Sequence, residues 1–290
     1  VLVLVGLGTW AALTRFDSGI RSGRCMARGL GTSHSYDTEQ TSNAALIVAT
    51  GVDRNLPPRA GTIALATAYQ ESQLRNIEHG DRDSLGLFQQ RPSQGWGTPQ
   101  QILDPIYSTN KFYDGLVKIK GYESMPITVA AQKVQRSAFP DAYADHEVEG
   151  RLFASALTGE SGPELTCDLA PASGPSDPRA LEKEVQRQFP RRLGTSVRTN
   201  LAAASEVFAT DSVPVPTGSG ATALVIDPGH DQRLGWALAN WAVAEAANYH
   251  VTLVAYQHRV WNRSSQDATW ATKATARPDR VVVLFAGEGS

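Results

Sequence analysis

The sequence is poor in cysteine, methionine and net charge: 290 residues carry two Cys, two Met and a formal charge of −2. No global basic field is available to recruit nucleic acid, and no basic stripe with interleaved aromatics appears. Clear internal repeats are absent. Charged residues make up 19% and hydrophobic ones 41%, a globular composition rather than a disordered one. The length suits one large domain or two ordinary ones. The apolar run VLVLVGLGTWAALT, residues 1–14, is too short as it stands to span a bilayer.

What is present begins with that run. Polar, Gly-rich sequence follows it at once, and the chain starts without Met, so residues 1–14 read as a truncated export segment. No clean small-x-small cleavage site closes it, which favours a retained single-pass anchor over a cleaved signal. The alternative is a buried strand or core helix. An exported chain with two cysteines, Cys25 and Cys167, invites a disulfide. Such a bond would close a long loop, worth roughly 4–5 kcal/mol on the entropy argument; two unpaired thiols are the alternative.

Residues 15–36 are Gly/Ser-rich and read as a tether. Asp37 to Asn55 reads as a helix capped by Asp37 or Thr38. Pro57 and Pro58 break it and start another to about Leu74. Further helices are expected near 99–103, 106–119, 127–137 and 142–157, and strand signals are almost missing before residue 160. Residues 37–157 are therefore predicted as a mainly α domain. The Gly/Pro/Ser-rich stretch 158–179 reads as a linker. Beyond it, ATALVIDP, VTLVAY and RVVVLF have strand character and LGWALANWAVAEAANY is an amphipathic helix, so 180–290 is predicted as a small α+β domain. The expected fold class is α+β multidomain.

In the second helix, Ala60, Ile63, Ala64, Thr67, Ala68 and Glu71 share one face. A carboxyl on a burying face is held toward its protonated form, and a protonated carboxyl near neutral pH is the general acid of glycosidic cleavage. The bland reading is a solvated Glu near a helix end. Its company argues otherwise: Ser72 follows, then a polar loop, then Ser84-Leu85-Gly86-Leu87-Phe88-Gln89-Gln90. Leu87 and Phe88 can form an apolar floor. Gln89 and Gln90 offer amides for N-acetyl and hydroxyl groups, and Trp96 is a candidate for stacking on a sugar ring, or for the core.

The pair A-x-x-x-Q-E-S-x-L and G-L-F-Q resembles the signature of lytic transglycosylases with a lysozyme-like fold, of the exported actinobacterial type, over about residues 38–150. The resemblance implies that Glu71 is the catalytic acid and later the base, and that Ser72, Gln89, Gln90 and Trp96 belong to the substrate site. The family's Ala-Tyr-Asn-Ala-Gly motif is absent, and AAQKVQRSAFPDAY from Ala130 stands in its place. Gln135 and Tyr143 are the candidates for its polar and phenolic groups. Hydrolases place a second carboxylate about 5–9.5 Å from the acid. The nearby acids Glu78, Asp81, Asp83 and Asp104 sit in no such motif, whereas a transglycosylase needs none, because the substrate's own 6-hydroxyl attacks.

Residues 220–285 are similar to the C-terminal part of zinc D-Ala-D-Ala carboxypeptidases, through the helix GWALANWAVAEAANY, the strand VTLVAY and the RVWNRS turn. Only Asp227 stands at a ligand position of that family. Gly220 occupies the His position, no His follows His258, and His230 and His258 read as surface or hydrogen-bonded histidines. A catalytic zinc site needs about three protein ligands, so neither metal nor cofactor is expected. The overall expectation is an extracytoplasmic enzyme cleaving the MurNAc-GlcNAc β-1,4 bond of peptidoglycan, with glycan strands as partner, the membrane reached through residues 1–14, and no nucleic acid. A hydrolytic muramidase and a non-catalytic wall-binding scaffold are the alternatives.

Overall fold

A computed structural model describes residues 22–29, 31–135, 142–173, 176–192, 194–195, 197–207, 221–265, 268–273 and 278–285. The apolar segment 1–14 lies outside them. Among the described residues no helix is long and apolar enough to cross a membrane.

The chain is α+β, with helices and two antiparallel sheets. The helices of the first half follow the sequence closely: α1 (Thr38–Asp53), α2 (Pro58–Ser72), α3 (Pro99–Leu103), α4 (Pro105–Leu116), α5 (Ile127–Gln135) and α6 (Glu147–Leu157). Their starts are chemically marked. Asp37 caps α1 in a reciprocal capping box with Gln40, and Pro58, Pro99 and Pro105 open the next three.

The expected tether and linker are corrected in part. Residues 24–37 form a hairpin, β1 (Arg24–Gly29) and β2 (Thr32–Asp37), and β3 (Leu165–Asp168) pairs with β1 to complete a three-stranded sheet. Small residues make these strands poor in strand signal, yet Cys25, Ala27, Tyr36, Leu165 and Cys167 are buried. Cys25 and Cys167 face each other in register and form the disulfide, 142 residues apart in sequence. The bond ties the two ends of the helical region together. A disulfide suggests an extracytoplasmic or secreted location.

The second half contains α7 (Pro178–Gln188), β4 (Arg198–Ala203), α8 (Ala204–Val207), β5 (Thr222–Asp227), α9 (Gln232–Ala244), β6 (Val251–Tyr256), β7 (Arg259–Asn262), β8 (Ala271–Thr272) and β9 (Val281–Phe285). The strands form one sheet in the order β4-β5-β9-β6-β7-β8. Alternation sorts its residues: Leu224, Ile226, Val254, Val281, Val283 and Phe285 join the main core, whereas Ala223, Val225, Leu253, Ala255, Val282 and Leu284 form a second cluster with Ala204 and Val207.

The two halves share that main core rather than being separated by a free linker. Helix α9 packs on α1, α6 and β3. Asn240, fully buried, donates to the carbonyls of Ala156 and Gly162, each at 2.8 Å. Trp270 Nε1 donates to the Leu165 carbonyl at 2.7 Å. At Glu245 a buried carboxylate accepts from Ser42 Oγ of α1 at 3.0 Å and from Asn248 Nδ2 at 3.0 Å.

Candidate functional site

Helix α2 delivers Glu71 at its C-terminal end. Gln73 and Leu74 are both left-handed, at φ 54° and 58°, and the Leu74 amide returns to the Ala68 carbonyl. This reversal stops the helix at Ser72, one residue past Glu71, and buries Leu74. Ser72 does not face outward. Its Oγ donates to the carbonyls of Ala68 and Leu87 and accepts from the Arg75 amide, clipping the helix end to the following loop. Among the contacts present, Ser72 positions the loop rather than lining a cleft.

That loop is a tight reversal in which Leu85 and Gln90 exchange both backbone hydrogen bonds at 3.0 Å. Gly86 has φ +75°, and a Cβ there would stand 2.8 Å from the Ile102 carbonyl, so only glycine fits. Leu87 and Phe88 are fully buried, and Phe88 stacks on Phe112 with centroids 4.7 Å apart. Both side chains belong to the main core beneath this loop.

The two glutamines diverge. Gln90 is a correction: it is 1% exposed and its Nε2 donates to the Ser108 carbonyl, so it braces α4 and cannot line a sugar site. Its register in the Leu85–Gln90 pair turns it inward, which residue type alone does not reveal. Gln89 is half-buried, with φ 46°, and its Nε2 lies 3.3 Å from the carbonyls of His79 and Gly86. Trp96 is half-buried against the core, and its carbonyl accepts from Tyr107 Oη.

Tyr143 and Gln135 converge on Glu71. Tyr143 is fully buried on a short 3-10 turn, Ala142–His146, and its Oη donates to Glu71 Oε1 at 2.7 Å. Gln135, the last residue of α5, places Nε2 at 3.3 Å from the same oxygen and 2.7 Å from the Phe88 carbonyl. Desolvation pushes the Glu71 carboxyl above the usual range, against the lowering pull of the Tyr143 and Gln135 hydrogen bonds and of the Arg91 charge. A half-buried carboxyl of raised pKa, oriented through one oxygen, is equipped to hand over a proton and take one back.

Three of the four other acids singled out in the sequence have structural tasks. Asp81 pairs with Arg91, Asp83 accepts from the Ser93 amide and hydroxyl, and Asp104 caps α4. Glu78 is exposed.

In the second half, Asp227 is ion-paired with Arg280 and accepts from the Gly229 amide at 2.8 Å. His230 and His258 are exposed. Among the described residues no three His, Cys, Asp or Glu side chains are grouped to hold a metal ion.

Residues 180–279 match the family described as VldE, C-terminal domain. The VldE-matching stretch spans α7, α9 and most of the six-stranded sheet, and leaves the Glu71 region outside it. No curated protein matches the chain.

One group of residues near Glu71 carries little sequence signal. His146, Glu149 and Gln70 interlock beside Tyr143. Only the i, i+3 spacing of His146 and Glu149 hints at it.

Proposed function

We propose that this protein is a lysozyme-like, extracytoplasmic glycan-cleaving enzyme that acts on the MurNAc-GlcNAc β-1,4 bond of peptidoglycan as a lytic transglycosylase. One observation carries the reading: a single half-buried Glu71, its carboxyl raised by desolvation and oriented by Tyr143 and Gln135. In the first step the protonated Glu71 gives its proton to the leaving GlcNAc oxygen as the bond to the MurNAc C1 breaks. In the second, the Glu71 carboxylate takes the proton of the MurNAc 6-hydroxyl as that oxygen bonds to C1. The product is a 1,6-anhydro sugar, and Glu71 ends protonated as it began. The engagement of Asp81, Asp83 and Asp104 in other tasks favours this route over hydrolysis.

Residues 1–14 serve in this reading as a membrane anchor, and the second half supports the first or binds wall peptides. The test is mass spectrometry of products from purified peptidoglycan. Fragments ending in anhydro sugars, one water lighter than hydrolytic products, are expected. Hydrated reducing ends would make the protein a muramidase, and no fragments at all would leave a wall-binding scaffold.

A further inference from the structure

The Glu71–Tyr143 hydrogen bond depends on where a short 3-10 turn sits. Such a turn has three residues per turn, so side chains at i and i+3 eclipse. Tyr143 and His146 stand in that relation and both meet α2: Tyr143 reaches Glu71, and His146 Nε2 lies 3.0 Å from Gln70 Oε1. The other ring nitrogen, Nδ1, lies 2.7 Å from Glu149 Oε1 on α6. The imidazole packs on Tyr69 at 4.7 Å between centroids, Tyr69 stacks on Tyr36, and Tyr36 stacks on Phe153 of α6. The second oxygen of Glu149 lies 3.6 Å from His34 Nδ1 on β2. His146 is therefore engaged at both nitrogens and one face, by α2 and by α6, the helix that follows the turn directly.

We infer that His146 is a positioning residue: pinned between Gln70 of α2 and Glu149 of α6, it fixes the 142–146 turn so that the Tyr143 hydroxyl meets Glu71. It touches no reacting atom. The inference deepens the proposed function and rests on that reading only for its effect on rate; the effect on Glu71 itself stands apart.

The test reads Glu71 directly in the full chain. Carboxyl-labelled glutamate is titrated by NMR, with Glu71→Gln identifying the Glu71 resonance. Tyr143→Phe removes a hydrogen bond that favours the ionised form, so Glu71 should titrate at higher pH. His146→Ala should move Glu71 in the same direction by at least half as much. The double variant Tyr143→Phe/His146→Ala should move it no further than Tyr143→Phe alone. His146→Asn, which keeps a donor toward Glu149, should restore much of the native titration. Gln70→Ala, at an exposed position, loosens the other anchor and gives the same readout if His146→Ala fails to fold. In activity, His146→Ala should lower kcat about tenfold at unchanged KM, as misorientation does. A Glu71 titration that moves in Tyr143→Phe but stays native in His146→Ala and Gln70→Ala would overturn the inference, as would one that Tyr143→Phe leaves unmoved. A folded Glu71→Gln that still cleaves wall glycan would sink the proposed function while leaving the titration test intact.

Discussion

Glu245 follows α9 and is 1% exposed, facing Ser42 of α1 where the two halves meet. Burial raises its carboxyl from 4.5 to about 7, opposed by the hydrogen bonds from Asn248 and Ser42; Glu184 adds to the rise and Arg187 of α7 offsets it. A group whose folded pKa is raised contributes stability that is complete below its unfolded pKa and is lost as pH rises through the folded one. The window here is about pH 4.5 to 7. A shift of that size corresponds to at most about 3 kcal/mol. The perturbation is Glu245→Gln, which keeps volume and an acceptor for Ser42 but cannot ionise. Urea unfolding of both proteins at pH 5 and pH 8 is the assay. Relative to native, the variant should gain about 2–3 kcal/mol between the two pH values. A native-minus-variant difference that is the same at both would refute the reasoning, because the buried charge would then cost nothing.

Three further outcomes follow from particular contacts. Replacing both Cys25 and Cys167 by Ser should cost up to about 4–5 kcal/mol by thermal or urea unfolding, since the bond closes a loop of 142 residues; a loss under about 1 kcal/mol would contradict that. Gly159→Ala should destabilise by about 2 kcal/mol or more, because φ is +79° and a Cβ would stand 1.9 Å from the Arg233 carbonyl; an unchanged melting temperature would show that α6 and α9 do not meet there. Asn240→Ala removes one donor from each of the Ala156 and Gly162 carbonyls, which keep the Gly159 and Glu164 amides, and should cost about 1–2 kcal/mol, whereas a neutral effect would argue against the packing of α9 on the first half.

The helices of the first half were legible because their signals are local. Capping by Asp37, prolines at the first helical turns and apolar spacing need no distant partner to be read. The strands of the second sheet were legible from β-branched runs. The hairpin at 24–37 was not, because Gly, Ser and small residues read as a tether until Cys25 and Tyr36 are seen buried against α6 and β3. The union of the two halves was equally hidden. Ser42, Asn240 and Glu245 are isolated polar residues whose partners lie far away in sequence, and no periodicity announces such pairs. At the site, Glu71 stood out as a carboxyl on a burying face, and Tyr143 and Gln135 came from the family resemblance. Gln90 turns inward because its orientation is set by the register of one backbone pair, which residue type does not carry. The Ser72 hydroxyl answers to the Leu87 carbonyl, fifteen residues away, a partner that no local pattern announces.

The most direct measurement is the digestion of purified peptidoglycan by native protein and by Glu71→Gln, with products followed by mass spectrometry and folding by circular dichroism. Gln preserves the shape of the side chain but has no acidic proton to give. The native protein is expected to release anhydro-ended muropeptides, and the folded variant to lose at least about a hundredfold in rate. Undiminished release by a folded Glu71→Gln would contradict the role given to Glu71 here.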